Sequence, residues 1–170
     1  MLKLPSAEAL GNPVRDLWDR LSGKPGGVWL FNRIIGLMVP YTGSLGAQVV
    51  ELRTGYSKVV LTERRAVRNH LRSVHALALG NMAELAGNMA LQYSLADDQR
   101  FIVKAMAIDY VKKARGTITA ECHCTAPPRG SKHTLEIGIT LRDASGVVVT
   151  EVRLTSVVGP KKASAQRVAA

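Results

Sequence analysis

The chain has 170 residues, with 23 Lys and Arg against 13 Asp and Glu, so its formal net charge is +10. Apolar residues make up 46% and charged residues 21%, which suits one globular core and excludes a disordered, collagen-like or low-complexity chain. Two cysteines cannot make a disulfide framework. No segment qualifies as a membrane span, because the longest weakly charged run, Val74 to Ala96, carries His75, Asn81, Glu84, Asn88 and Gln92. Met1 to Gly11 lacks the basic cluster and apolar run of a secretory signal, so a cytoplasmic protein is expected.

Residues 1–43 read as a helical arm covering the core. Asn12-Pro13 is an N-cap followed by proline at the first helical position, and Val14, Leu17, Trp18 and Leu21 repeat at helical spacing. Gly23 to Gly27 stops that helix, and a second apolar piece runs from Val28 to Val39. From Leu45 the period changes to two, and the runs Ala47–Leu52 and Lys58–Thr62 flank the turn-prone Thr54-Gly55 as a hairpin. A basic loop holding Arg64, Arg65, Arg68, Asn69, His70 and Arg72 then enters an Ala-, Leu- and Met-rich stretch long enough for a helix of about 20 residues.

The remainder alternates. Ile102, Lys104, Met106, Ile108 and Tyr110 form one face of a strand expected to be buried in its middle. Ile118, Ala120, Cys122 and Cys124 share a face of the next, Leu135, Ile137, Ile139 and Leu141 of a third, and Val148, Val152 and Leu154 of a fourth. Short connections among these four predict an antiparallel meander, and the single long helix must cover one face of the sheet. The fold class is α+β: a helical arm over 1–43, a core domain over 44–158 and a basic, flexible tail over 159–170.

The long helix carries one formally charged residue, Glu84. At about 100° per residue, Asn81, Glu84, Asn88 and Gln92 fall in one narrow stripe. A carboxylate in apolar company suits a general base or nucleophile, whereas the plain alternatives are a solvated helix edge or a polar seam at a homodimer contact. Cys122-His123-Cys124 does not read as a metal site, because on a strand the cysteines point one way and the histidine the other.

The residues entering the helix carry a resemblance. Asn69-His70-Leu71-Arg72-Ser73-Val74-His75-Ala76-Leu77, followed by Glu84, resembles the start of the central helix in hotdog-fold acyl-CoA thioesterases, especially the phenylacetyl-CoA thioesterase group. That group's pattern is Asn, His-Gly-Gly six residues on, and an Asp or Glu nine residues after the His; Asn69, His75 and Glu84 keep both intervals. Here His-Gly-Gly is His75-Ala76-Leu77, and Glu84 stands where the phenylacetyl-CoA group has Asp.

The resemblance implies a hotdog, a curved antiparallel sheet wrapped around one long helix, over about residues 45–158. It implies thioester hydrolysis in which the Ala76 backbone amide, with Leu77, polarises the carbonyl. Glu84 activates water or attacks directly, Asn69 orients that water or the carboxylate, and His75 binds substrate or steadies the loop. It further implies a homodimer, or a pair of dimers, with sites between subunits. Asn81, Asn88 and Leu77 are candidate substrate contacts, and Arg68, Arg72, Lys112 and Lys113 are candidates for the phosphates of coenzyme A. No cofactor is expected beyond the coenzyme A of the substrate, which an acyl carrier could replace. A hotdog that binds acyl-CoA without cleaving it is the alternative. Nucleic acid is disfavoured by 5% aromatic content and the lack of a stacking platform.

Overall fold

The computed structural model describes residues 11–161. Three helices open it, α1 (Pro13–Leu21), α2 (Gly27–Met38) and α3 (Pro40–Ser44). Strands β1 (Gln48–Arg53) and β2 (Tyr56–Leu61) precede the long helix α4 (Ala76–Ser94). Strands β3 (Gln99–Tyr110), β4 (Ile118–His123), β5 (His133–Arg142) and β6 (Val148–Pro160) complete one antiparallel six-stranded sheet.

Helix α4 contains no proline and no β-branched residue, so nothing in its 19 positions opposes the helical rotamers. Its buried face includes Leu79, Met82, Ala86, Met89 and Leu91. Gly87 allows the closest approach to the sheet, since a Cβ there would lie 2.8 Å from Leu154 Cδ2. Ser57 on β2 ties the sheet to the helix by donating its hydroxyl to the Ala86 carbonyl at 2.6 Å. The sheet curves around this one helix, which is the hotdog arrangement that the motif resemblance implied.

The arm is part of the same core. Trp18 and Phe31 meet edge to face at 4.9 Å between ring centroids, and both belong to the buried cluster. Asn12 caps α1 by accepting the Arg15 N–H at 3.2 Å, and its Nδ2 donates to the Gln92 carbonyl at the far end of α4 at 2.7 Å. Asn32, in the middle of α2, ties that helix to β1 by accepting Val49 N–H at 2.7 Å and donating to Val49 O at 2.9 Å.

The strand order is β1-β2-β4-β5-β6-β3, which corrects the expected four-strand meander. Of the last four strands, β4, β5 and β6 are consecutive neighbours, whereas β3 crosses to the far edge and, among the described residues, pairs with β6 alone. Edge position also overturns the expected burial of β3, because Lys104, Ala105, Met106 and Ala107 are all exposed. A bulge between Val103 and Ala105 breaks the alternation, so Ile102 stands opposite Val157 on the outer face while Met106 stands opposite buried Leu154 on the inner one.

The expected tail boundary also shifts. Strand β6 continues to Pro160, and Lys161 is buried, its ammonium donating to Gly11 O at 2.7 Å and Asp97 O at 3.0 Å. Residues 162–170 of the expected flexible tail, and residues 1–10 of the arm, lie outside the described residues. Among the described residues, no helix is long and apolar enough to cross a membrane.

Candidate active site

Helix α4 starts where it does because of His75. Its backbone is extended, at φ −64° and ψ 140°, and its imidazole Nδ1 accepts the Leu77 N–H at 3.1 Å. The ring thus takes the N-cap place usually held by Ser, Asp or Asn. The His75 carbonyl accepts from Ala78 at 2.9 Å and Leu79 at 3.1 Å. Of the four amides that open the helix, only Ala76 N–H is left without an acceptor among the described residues. Of the two amides expected to polarise a carbonyl, the cap takes that of Leu77 and leaves that of Ala76.

Asn69 builds the loop that leads in. Its Oδ1 accepts Leu71 N–H at 2.9 Å, Ser73 N–H at 3.2 Å and the Ser73 hydroxyl at 3.1 Å. Within this loop Arg72 adopts φ 52°, the only left-handed residue other than glycine among those described. Two contacts hold it there: its N–H donates to Asn69 O at 3.2 Å, and its carbonyl accepts Arg115 Nε at 3.3 Å. Asn69 Oδ1 is thus spent on its own loop, while Nδ2 has no acceptor among the described residues.

On α4, Glu84 is half-buried and has neither a hydrogen bond nor an ion pair among the described residues. One turn to either side, Asn81 Oδ1 and Asn88 Oδ1 are buried and without a hydrogen-bond donor. Orphaned buried oxygens are costly, so three neighbouring polar groups on one helix face mark a surface that something else completes. Gln92, the fourth member of the stripe, is instead covered by Asn12, to which its Nε2 donates at 3.3 Å.

His75, Leu77 and Asn81 share a cleft of about 210 Å³ with Tyr41 and Leu45 from the α3 region and Val67 and Arg68 from the loop. Leu77 is 67% exposed at its mouth. Glu84 lies eight residues beyond Ala76, which at 1.5 Å per residue is about 12 Å along the helix. The two groups thus lie about two helical turns apart along the axis.

The basic residues divide. Arg68 is committed to Glu63, whose carboxylate also accepts the Gly116 N–H; that amide first, and then Arg68, hold Glu63 below the usual carboxylate range. Arg64 is spent on the Ser44 and Leu45 carbonyls at 3.0 and 2.9 Å. Arg72, Lys112 and Lys113 are exposed, and the Val74 N–H to Ala114 O bond of 2.8 Å puts the segments bearing them side by side at the helix entrance. Sequence reading passed over Tyr110, whose hydroxyl donates to Ala76 O at 3.1 Å, and Glu63. Only the last turn of β3 meeting the first turn of α4 reveals the former. The latter was marked solely by an acid placed just before a basic loop. Cys122 is buried in the core, and a hydrogen bond to Cys124, with burial second, pushes its thiol up; exposed His123 points away, its ring centroid 4.8 Å from that of Tyr56.

A family model described as a domain of unknown function, DUF4442, matches residues 27–158. The chain belongs to the DUF4442 family. The match begins at the first residue of α2, so two of the three arm helices belong to this DUF4442 domain. No curated protein matches it by sequence. Among solved structures, the structural-genomics protein APC5556 superposes with a TM-score of 0.75 at 28% identity, covering 87% of this chain and 98% of its own. PA5026 of Pseudomonas aeruginosa, described as a probable thioesterase, gives 0.67 at 22%, covering 75% of this chain and 91% of its own. PaaI of E. coli, from the phenylacetic acid degradation operon, gives 0.61 at 22%, covering 80% and 94%. These likenesses bear out the hotdog fold.

Proposed function

We propose that this chain hydrolyses an acyl thioester of coenzyme A or of an acyl carrier, working as a homodimer. The observation that carries the reading is the pair of unspent groups on α4, the Ala76 N–H at its positive end and the half-buried Glu84 carboxylate two turns on. The thioester oxygen accepts the Ala76 N–H, which favours the charge that develops there as the carbonyl becomes tetrahedral. Glu84 takes a proton from water as the oxygen attacks the carbonyl carbon, and returns it to the departing thiolate. Exposed Arg72, Lys112 and Lys113 supply cations for an anionic carrier at the helix entrance. PA5026 and PaaI, similar in fold, are support by analogy.

The helical rise of about 12 Å from Ala76 to Glu84 supports a site shared by two subunits. Strand β3 offers the means. Among the described residues its outer edge is unpaired; it is 12 residues long, and it exposes Met106 and Tyr110 beside α4. Such an edge invites pairing with its own copy, which would bring two α4 helices together across a twofold axis. The partner's loop would then meet Glu84, Asn81 and Asn88.

Thiol release from a panel of acyl-CoA esters, run on wild type and Glu84→Gln, tests the reading. Release by wild type that Glu84→Gln lowers at least 100-fold supports it. Release unchanged by that substitution removes Glu84 from the chemistry. Because Ala76-Leu77 replaces the paired glycines of the resembling motif, a binder without hydrolysis is the second reading, and saturable acyl-CoA binding with no thiol release would establish it.

A further inference from the structure

A second opening lies beside α4, between the arm and the sheet. It is a cleft of about 240 Å³ among α2, α3 and the start of β1. Buried Ile35, Val49 and Leu85 form its floor, while Trp29, Leu37 and Val39 stand around its rim at 64, 75 and 42% exposure. Exposure of three large apolar side chains around one cleft is unfavourable unless something apolar occupies it. Its amides are already spent, since Asn32 is clamped between Val28 and Val49, and its lining carries a single charge, Arg33.

The cleft is built by local sequence. A Cβ on Gly43 would fall 2.4 Å from the Gly36 carbonyl oxygen, so glycine is what lets α3 fold back onto α2 and wall off the space. Leu85, on the floor, is the residue after Glu84 and lies 100° round the helix from it. The cleft therefore opens on the flank of the carboxylate stripe. A dry cavity of roughly 150 Å³ is enough to admit benzene, so this one has room for a run of methylenes.

We infer that the arm cleft takes the acyl chain, which makes the substrate a medium- to long-chain fatty acyl thioester. The inference rests on the thioesterase reading above and adds its substrate class. Each methylene entering the cleft should raise kcat/KM by up to about fourfold until the floor is reached.

The test compares acetyl-, hexanoyl- and decanoyl-CoA as substrates of wild type and of Val39→Phe, which narrows the rim. In parallel, decanoate is titrated against Trp29 fluorescence, with Trp29→Phe as the blank for buried Trp18. The expected result is a decanoyl-to-acetyl ratio that falls at least tenfold in Val39→Phe, with a saturable Trp29 response that the same variant weakens. Hydrolysis whose ratio moves less than twofold would overturn the acyl assignment and leave the thioesterase reading standing. If no thioester is cleaved, the thioesterase reading falls and the titration alone decides the cleft: a saturable response supports an acyl site, and a flat one overturns it. Thermal melting confirms that Val39→Phe is folded in every arm.

Discussion

The imidazole Nδ1 of His75 accepts the backbone N–H of Leu77 at 3.1 Å, and this one contact determines which amide of α4 remains available. A serine or asparagine cap could satisfy the same donor. The histidine of the motif is therefore explained as architecture at the helix start, adjacent to the amide that the proposed chemistry uses.

Loss of that cap should be visible as stability. His75→Ala is expected to cost about 1 kcal/mol, and His75→Asn to recover most of it, because asparagine can accept the same N–H. Urea unfolding followed by circular dichroism checks both; equal midpoints for wild type and His75→Ala would show that the cap contributes nothing.

Ala76→Pro separates the amide from the fold. Proline is welcome at the first helical position, and His75 already has the extended backbone that a residue before proline requires. Stability should stay within about 1 kcal/mol of wild type, while kcat should fall roughly 100- to 1,000-fold through loss of the oxyanion donor. Mixing Ala76→Pro with Glu84→Gln should then restore about a quarter of wild-type activity, since half of randomly formed dimers are mixed and each has one intact site. No recovery on subunit exchange would place both groups in one subunit.

Met106→Lys puts a charge on the exposed edge strand β3 beside α4. A lysine on a pairing edge opposes association. The variant should sediment as a monomer with unchanged far-ultraviolet dichroism, and thioester hydrolysis should drop with the dimer.

Glu63 should make the protein acid-sensitive. Its folded carboxyl titrates below its ordinary value of 4.5 because the Gly116 amide and Arg68 favour the ionised form. A depressed folded value contributes stability that is fully present above the unfolded value and is lost as pH falls through the folded one. As pH falls from above 4.5 through the lower folded value, urea midpoints should therefore drop more steeply for wild type than for Glu63→Gln. Parallel profiles would remove Glu63 as a contributor.

The two glycines of α4 should respond differently to alanine. At Gly87 a Cβ would sit 2.8 Å from Leu154 Cδ2 and 3.3 Å from Ile139 Cδ1, both inside the core, so Gly87→Ala should destabilise by about 1 kcal/mol despite its better helix propensity. At Gly80 the neighbours are Ile108 Cδ1 at 3.0 Å and Met106 Cε at 3.7 Å, on the open edge strand, where they can give way. Gly80→Ala should be neutral or stabilising in the monomer. Thermal midpoints of the two variants order them.

Much of this was legible along the chain. The N-cap at Asn12, the hairpin turn at Thr54-Gly55 and the period-two faces of β4, β5 and β6 all appear where local pattern places them, because each depends on residues a few positions apart. Strand β3 was misread for the opposite reason. Its alternation looked like that of a buried strand, yet its burial depends on which strands flank it, and its face parity on a single bulge after Val103. Asn69, His75 and Glu84 keep the intervals of the resembling motif, but spacing could not show that Asn69 Oδ1 is consumed by Leu71 and Ser73 or that His75 caps the helix.

By itself, then, the sequence determined the elements, the polar stripe on the one long helix and the surplus of positive charge, since period, capping and composition are local properties of the chain. Only the tertiary structure decided that β3 is the open edge, that Ala76 keeps its amide free among the described residues, and that the arm folds back through Gly36 and Gly43 to wall a cleft floored by Leu85. Those features arise from hydrogen bonds and contacts between segments far apart in sequence, and no periodicity records which donor meets which acceptor.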